Sequence, residues 1–344
     1  MQYDVTIGIP VYRAVNFIEN TLISALNQTF QSIEFLVVDD CGEDGSMDIV
    51  NRLKAEHPRG NDIRILYNSS NVGAGGSRNR ILAEARGRFL FFLDSDDLLE
   101  PDVIQCLVDE MKKKQLDVVY GSLKRIDKVH HHPDQLYVFP DRRLLLDDEM
   151  ACYAFKNYSS FQISVCNCLM DMDFLRSNQL RFINAIFWED LAFSYEMVTK
   201  IKRAALLSKI TYHYICRSGS LSHYQDRDVL DKTEIMKNAL TIDYLKEKCK
   251  ALLDKSYLPY LCYNLEMNSF YIVCYVLKSS SRIYPPISYS EIRQILQHPL
   301  SLSEIVHFRS KLFHNMFFLL LNRMPLPLMI SCVKLLGKYK KVIK

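Results

Sequence analysis

The stretch Phe89-Leu90-Phe91-Phe92-Leu93-Asp94-Ser95-Asp96-Asp97 runs five apolar residues straight into three carboxylates. The apolar run has the length and composition of a strand buried on both faces. Open α/β sheets bind ligands just beyond the carboxyl ends of their strands, and Asp94, Asp96 and Asp97 would stand at that edge. Carboxylates this close repel one another unless a cation lies between them. Hard divalent ions such as Mg2+ or Mn2+ take oxygen ligands and bridge to phosphates. The stretch therefore reads as a strand that delivers a metal to a phosphorylated ligand. It also suits a solvated loop or a helix cap, since Ser95 and Asp97 are good caps and Pro101 can open a helix.

Working outward, the pattern recurs upstream. Val5-Thr6-Ile7-Gly8-Ile9-Pro10 predicts a first strand stopped by Pro10. Glu34-Phe35-Leu36-Val37-Val38-Asp39-Asp40 predicts a second buried strand ending in acids, and residues 63–67 a third. Between them, Phe17, Ile18, Leu22 and Leu26 recur at helical spacing, and Ser46 caps a helix through Leu53. A glycine-rich loop, residues 71–79, runs into a helix ending near Ala85. Strands and helices alternating in this way make a mostly parallel sheet flanked by helices.

Downstream the spacing predicts a helix from Pro101 to about Lys114, a strand at Val118-Val119-Tyr120 and a helix over 191–200. Residues 124–140 are polar, and the run His130-His131-His132 reads as a solvated hairpin tip, because adjacent side chains diverge. From about Leu230 the pattern is helical and aromatic-rich. The expected organisation is an α/β domain over 1–225 and a helical region over 226–344.

Apolar residues form 49% of the 344, enough for a sizeable core. From residue 305 to the end there are eight Lys or Arg and no Asp or Glu, while the whole chain carries only +3. The basic tail, not the overall charge, is informative, and no nucleic-acid partner is expected. The ten cysteines contain no CxxC, which suits buried thiols in a reducing cytosol. The strand-like opening predicts no signal peptide. No uncharged apolar run reaches ~18 residues, so no spanning helix is expected.

Gly73 and Gly75 begin a GxG, with Asp94 about 20 residues on, as in dinucleotide-binding folds. The third glycine position holds Arg78, however, and the loop follows the third strand rather than the first. A different set fits in order. Residues 5–12, Ser24-Ala25-Leu26-Asn27-Gln28-Thr29-Phe30, Val37-Val38-Asp39-Asp40, Gly75-Gly76-Ser77-Arg78-Asn79 and Leu93-Asp94-Ser95-Asp96-Asp97 resemble glycosyltransferase family 2. Trp188-Glu189-Asp190 and Gly219-Ser220-Leu221-Ser222 are similar to its later motifs. The resemblance covers about residues 1–225. It implies a GT-A fold, a nucleotide-sugar donor, a divalent cation and inversion at the anomeric carbon.

The resemblance places Pro10 and Tyr12 beside the nucleoside, Asp40 on the base and Arg78 next to it. Asp94 and Asp96 form the DxD pair, with Asp96 or Asp97 on ribose and metal. Asp190 matches the catalytic base. Glu189 would cap the helix or orient a neighbour, and both acids also suit the helix dipole alone. Trp188, the only tryptophan, is either an acceptor platform or a core residue. His213 and His223 flank the Gly219 loop, and His223 could close over the diphosphate or metal, or lie on the surface. Two departures fall at the donor site: Arg13 stands where asparagine is usual, and Cys41-Gly42-Glu43-Asp44 replaces a Gly-Ser turn. The QxxRW signature of processive synthases is absent, which favours single addition.

The expectation is thus an inverting, metal-dependent, cytoplasmic glycosyltransferase. It would move one sugar from a nucleotide-diphosphate sugar, with UDP the expected nucleotide, to a glycan or lipid-linked acceptor in surface polysaccharide synthesis. A nucleotidyltransferase and a non-catalytic nucleotide-sugar-binding module are the alternatives, and the nucleotide released separates the three. At the C-terminus, apolar residues 316–321 and 326–336 are broken by Arg323, Pro325 and Pro327 and followed by lysines. They predict peripheral contact with the inner face of a membrane, or else a helix packed on the catalytic domain.

Overall fold

Each apolar run ending in acids becomes a strand of one sheet. The computed structural model describes residues 3–129, 132–157, 165–185, 188–217, 227–340 and 342. Its first elements are β1 (Tyr3–Val11), α1 (Ile18–Leu26), β2 (Ile33–Asp39), α2 (Ser46–Glu56), β3 (Ile63–Tyr67), α3 (Gly73–Glu84) and β4 (Gly87–Phe92). There follow β5 (Leu98–Leu99), α4 (Val103–Lys114), β6 (Val118–Asp127), β7 (Gln135–Tyr137) and β8 (Arg142–Leu144). The next are α5 (Glu149–Asn157), β9 (Cys168–Asp171), α6 (Met172–Ser177), α7 (Glu189–Val198) and β10 (Ala204–Cys216). The chain forms two units: one of residues 1–150, 164–184 and 197–220, the other of 151–163, 185–196 and 221–344.

In the first unit the strand order is β3-β2-β1-β4-β9-β6-β10-β5, with β7 on β6 and β8 on β10. Strands β3, β2, β1 and β4 are parallel, and their inner residues, such as Ile7, Val37 and Phe91, are fully buried. Beyond β4 the sheet is mixed: β9 runs antiparallel to both β4 and β6, while β6 and β10 are parallel. Strand β9 is four residues long, too short for a periodic signal. The helix expected from Ser46 is present, with Gly45 rather than Ser46 at its N-cap, and it runs on to Glu56. The expected strand at Val118 extends to Asp127 and pairs antiparallel with β7, while His130 and His131 lie outside the described residues.

Two sequence details set the donor-side edge. A Cβ on Gly8 would lie 2.4 Å from Ile81, so only glycine lets α3 sit this close on β1. Inside the sheet Glu34 is buried, with Oε1 2.7 Å from Arg64 Nε and Oε2 accepting from the Thr6 hydroxyl at 2.7 Å. That acid is structural: its lone pairs are met within the protein.

The second unit holds β11 (Leu230–Asp231), α8 (Lys232–Lys248), α9 (Leu258–Lys278), β12 (Ile283–Tyr284), α10 (Tyr289–Ile295), α11 (Leu302–Ile305), α12 (Leu312–Arg323) and α13 (Leu326–Tyr339). Pro259 stands in the first turn of α9, where its missing N–H costs nothing. Helix α9 is buried on most sides, through Leu261, Leu265, Phe270 and Val273 among others, and packs against α8, α12 and α13. Among the described residues no helix is long and apolar enough to cross a membrane. All ten cysteines are free thiols, and six of them are buried.

Candidate active site

Strand β4 hands the chain to the acids. The Leu93 amide donates to the Gly8 carbonyl at 3.0 Å, extending the pairing, and the Asp97 amide then donates to the Asp94 carbonyl at 3.2 Å, closing a turn. Asp97 is drawn inward. Its Oδ2 accepts from the Tyr212 hydroxyl at 2.7 Å and its Oδ1 from the Ile215 amide at 2.8 Å, both on β10. Burial, followed by the charges of Asp94 and Asp96, pushes the Asp97 carboxyl well above the usual carboxylate range.

Asp94 and Asp96 stay at the open edge, and each holds an arginine. Arg78 Nη2 is 2.7 Å from Asp94 Oδ1, and Arg217 Nε is 2.5 Å from Asp96 Oδ2. Burial and the neighbouring Asp94 raise the Asp96 carboxyl, against the pull of Arg217. Arg78 and Arg217 thus set positive charge against two of these three acids. Both are braced by rings: Arg78 lies 5.6 Å from the centre of Phe182, and Arg217 lies 4.5 Å from that of Phe17. Asn79 fixes the Phe182 segment through two 2.8 Å bonds to its backbone, one donated and one accepted.

The other expected donor-side residues gather at neighbouring strand ends of the same unit. Pro10 lies beyond Gly8, the last residue of β1 paired with β4, so its lost N–H leaves no gap there. Tyr12 is exposed, with the Arg13 guanidinium 5.2 Å from its ring centre. Asp40 is buried and serves the glycine-rich segment: it accepts from the Val72 and Gly73 amides, each at 2.9 Å, and from Asn68 Nδ2 at 2.8 Å. Those amides are the orphan donors of a helix start, so Asp40 fixes the helix that carries Arg78. The two departures share one backbone property. Arg13, Cys41 and Glu43 have φ of 49°, 60° and 52°, the left-handed region that asparagine and glycine enter at lower cost.

The expected metal ligands are divided by this arrangement. Asp96 sits at the open edge and fits as an oxygen ligand; Asp97 does not fit while both its oxygens hold Tyr212 and Ile215. Among the described residues no group of three or more His, Cys, Asp or Glu is gathered to hold a metal ion. His213 is on β10, with Nε2 3.0 Å from Glu100 Oε1.

Trp188, Glu189 and Asp190 belong to the second unit and are described by themselves. Trp188 has φ of 63°, a strained value for a bulky residue, and its carbonyl accepts from the Ala192 amide at 3.1 Å. Glu189 is buried, and Asp190, half-buried, accepts from the Leu191 amide at 2.8 Å. His223 and the Gly219-Ser220-Leu221-Ser222 loop lie outside the described residues.

Sequence reading missed Tyr212, Phe182 and Arg217. Tyr212 and Arg217 reach the acids from more than a hundred residues away, and Phe182 braces Arg78 from a similar distance, pairings that no local spacing displays. Arg217, adjoining the Gly219 loop, was the one with a nearby motif to draw attention to it.

Comparison with known proteins identifies the family and the fold. The model of the family described as glycosyl transferase family 2 matches residues 6–177, half of the chain. The chain is 35% identical over 124 residues to the chondroitin synthase of Pasteurella multocida, covering 36% of this chain and 12% of that protein. Against the Pasteurella and Escherichia coli synthases it matches, the chain spans only 12–22% of their length. It is 24% identical over 283 residues to the cholesterol galactosyltransferase of Borreliella burgdorferi, covering 79% of this chain and 77% of that one. The crystal structure of S. aureus TarS 1–349 in complex with UDP-GlcNAc superposes with a TM-score of 0.66 at 19% identity, covering 93% of this chain and 89% of that one. The fold is the GT-A fold, and the chain belongs to glycosyltransferase family 2.

Proposed function

We propose that the chain is an inverting glycosyltransferase that moves one sugar per event from a UDP-sugar to a lipid-linked or glycan acceptor in surface polysaccharide synthesis. The observation that carries this reading is the pair of acid–arginine contacts at the strand end: Asp96–Arg217, open on both sides, and Asp94–Arg78, in which the acid is open and the arginine buried. A guanidinium is a planar fork matched to phosphate oxygens. An incoming diphosphate can take it over in exchange for a carboxylate partner. The UDP-GlcNAc bound to TarS supports the donor class, and the lipid substrate named for the Borreliella enzyme supports a lipid acceptor.

Within this reading Pro10 and Tyr12 flank the nucleoside, and Asp40 holds the glycine-rich segment against it. Asp190 takes the proton from the acceptor hydroxyl, Glu189 steadies the helix start, and Trp188 offers a stacking face to the acceptor sugar. Mg2+ or Mn2+ is the expected cofactor, and Asp96 would hold it while Asp97 fixes the turn. When bound, such an ion neutralises charge on the leaving diphosphate. The enzyme works in the cytoplasm, on the inner face of the membrane, through its basic C-terminus. Lys334, Lys338 and Lys340 follow exposed apolar residues on α12 and α13, and anionic headgroups attract each lysine by about 1 kcal/mol.

A thermal-stabilisation screen of nucleotide sugars tests the donor. A UDP-sugar should raise the melting temperature, and excess EDTA should remove most of the rise. Stabilisation by nucleoside triphosphates alone would favour nucleotidyl transfer and count against the proposal. Full stabilisation and turnover in EDTA would remove the metal from it.

A further inference from the structure

The helical unit contains a cavity of about 420 Å3, within the size range of small-molecule sites, roughly 300–1,000 Å3. Its walls are almost wholly apolar: Met267 and Phe270 come from α9, Phe317 and Phe318 from α12, and Leu336 from α13. No substrate sugar suits such a lining, because each hydroxyl would be buried without a partner.

The rim differs from the walls. Lys340 borders the cavity, and Tyr263, also at its edge, carries the Lys311 ammonium 4.3 Å from its ring centre. His314 packs edge-on to Tyr263, ring centres 5.1 Å apart, and burial followed by Lys311 and Lys340 holds its imidazole below the usual range. The segment that supplies Lys311, His314 and Lys340, residues 305–344, contains eight Lys or Arg and no acid. Beside the opening, Phe313 is 82% exposed and Tyr339 83% exposed. An apolar slot, a cationic rim and protruding aromatic residues are complementary to one ligand class.

We infer that this cavity takes a hydrocarbon chain of an anionic membrane lipid, with Lys311 and Lys340 at the headgroup. Interfacial helices ordinarily gain from apolar residues laid on the surface. Here a chain would leave the bilayer and enter the protein, which fixes the height and orientation of the unit at the membrane. The inference rests on the proposed membrane contact and not on sugar transfer.

The test uses the full chain with Trp188→Phe as the fluorescence background. Phe317→Trp, at a cavity-lining position 39% exposed, reports from the cavity, and Leu335→Trp, at a position 71% exposed and outside the cavity lining, reports from the surface. Vesicles of phosphatidylglycerol carrying brominated acyl chains should sediment the protein and quench Phe317→Trp more strongly than Leu335→Trp. Vesicles of brominated phosphatidylcholine should do neither. Lys311→Glu with Lys340→Glu should weaken binding by about tenfold or more. Sedimentation with Leu335→Trp quenched and Phe317→Trp untouched would overturn the cavity assignment and leave surface contact standing. No sedimentation of the full chain would overturn the membrane contact itself. Equal quenching by phosphatidylcholine would overturn the anionic requirement. A concentration-dependent dimer that shields Phe317→Trp, without quenching by lipid, would assign the cavity to a second copy and overturn the inference.

Discussion

Two regions of this chain set a carboxylate against a cation, and they do so for opposite ends. At the sheet edge, the side chains of Asp94 and Asp96 keep 32% and 19% of their surface open, each with one arginine. In the helical unit, Glu266 Oε1 lies 3.0 Å from Lys246 Nζ with nothing of the Glu266 side chain exposed. Lys246 also donates to the carbonyls of Ile295 at 3.1 Å and Gln297 at 2.7 Å, tying α8 to the end of α10. A half-open pair can trade a partner for a ligand, since water and phosphate replace the lost contact. A closed pair cannot, because removing one partner strands a charge in a dry interior. Between Asp96–Arg217 and Glu266–Lys246, exposure rather than residue type separates the exchangeable contact from the fixed one.

The largest effect is expected from a carboxylate that belongs to neither ion pair. Asp190→Asn should lower turnover by about 10²–10⁴-fold with donor affinity nearly unchanged, measured by steady-state kinetics and calorimetry. Near-normal turnover in Asp190→Asn, together with loss in Glu189→Gln, would move the base to Glu189. Next, Lys246→Met should destabilise the helical unit by about 1–3 kcal/mol in denaturant unfolding at neutral pH, because Glu266 can take up a proton while the carbonyls of Ile295 and Gln297 lose their donor. Donor affinity of the remaining folded protein should be unchanged. If affinity falls as well, the closed pair is not merely scaffold.

The pH dependence of stability sharpens the same contrast. Burial pushes the Glu266 carboxyl from its ordinary 4.5 to about 7, against the pull of Lys246. Between those values the folded state binds the extra proton, so stability should fall as pH rises through the window, by at most on the order of 3 kcal/mol. Glu266→Gln should flatten the profile, and an unchanged slope would show that Glu266 is not its source. The smallest effect belongs to the open edge. Arg217→Met should weaken UDP-sugar binding by about tenfold and leave unfolding unaltered. Loss of stability without loss of affinity would make that edge structural and erase the comparison.

The part of the fold readable in sequence was the part written in local patterns. Strands β1 to β4 announce themselves because apolar runs such as Phe89–Leu93 need no distant partner to be recognised. The glycine-rich helix start was equally plain. The crowding of Asp94, Asp96 and Asp97 at one strand end was readable from the sequence. The arginine partner of Asp96 was not, since Arg217 meets it across 121 residues of chain. For the same reason the inward turn of Asp97 depends on Tyr212, which no spacing rule links to it. Helicity beyond Leu230 was visible as a periodicity. The cavity was not, because Met267, Phe317 and Leu336 reveal only that they are apolar, not that three helices leave space between them.

The central claim, that this chain transfers a sugar from a UDP-sugar, is tested most directly by identifying what leaves the donor. With a stabilising UDP-sugar and an acceptor extract from membranes, one UDP should be released for each sugar transferred. Release of pyrophosphate, or tight donor binding with no nucleotide released under any acceptor condition, would contradict it.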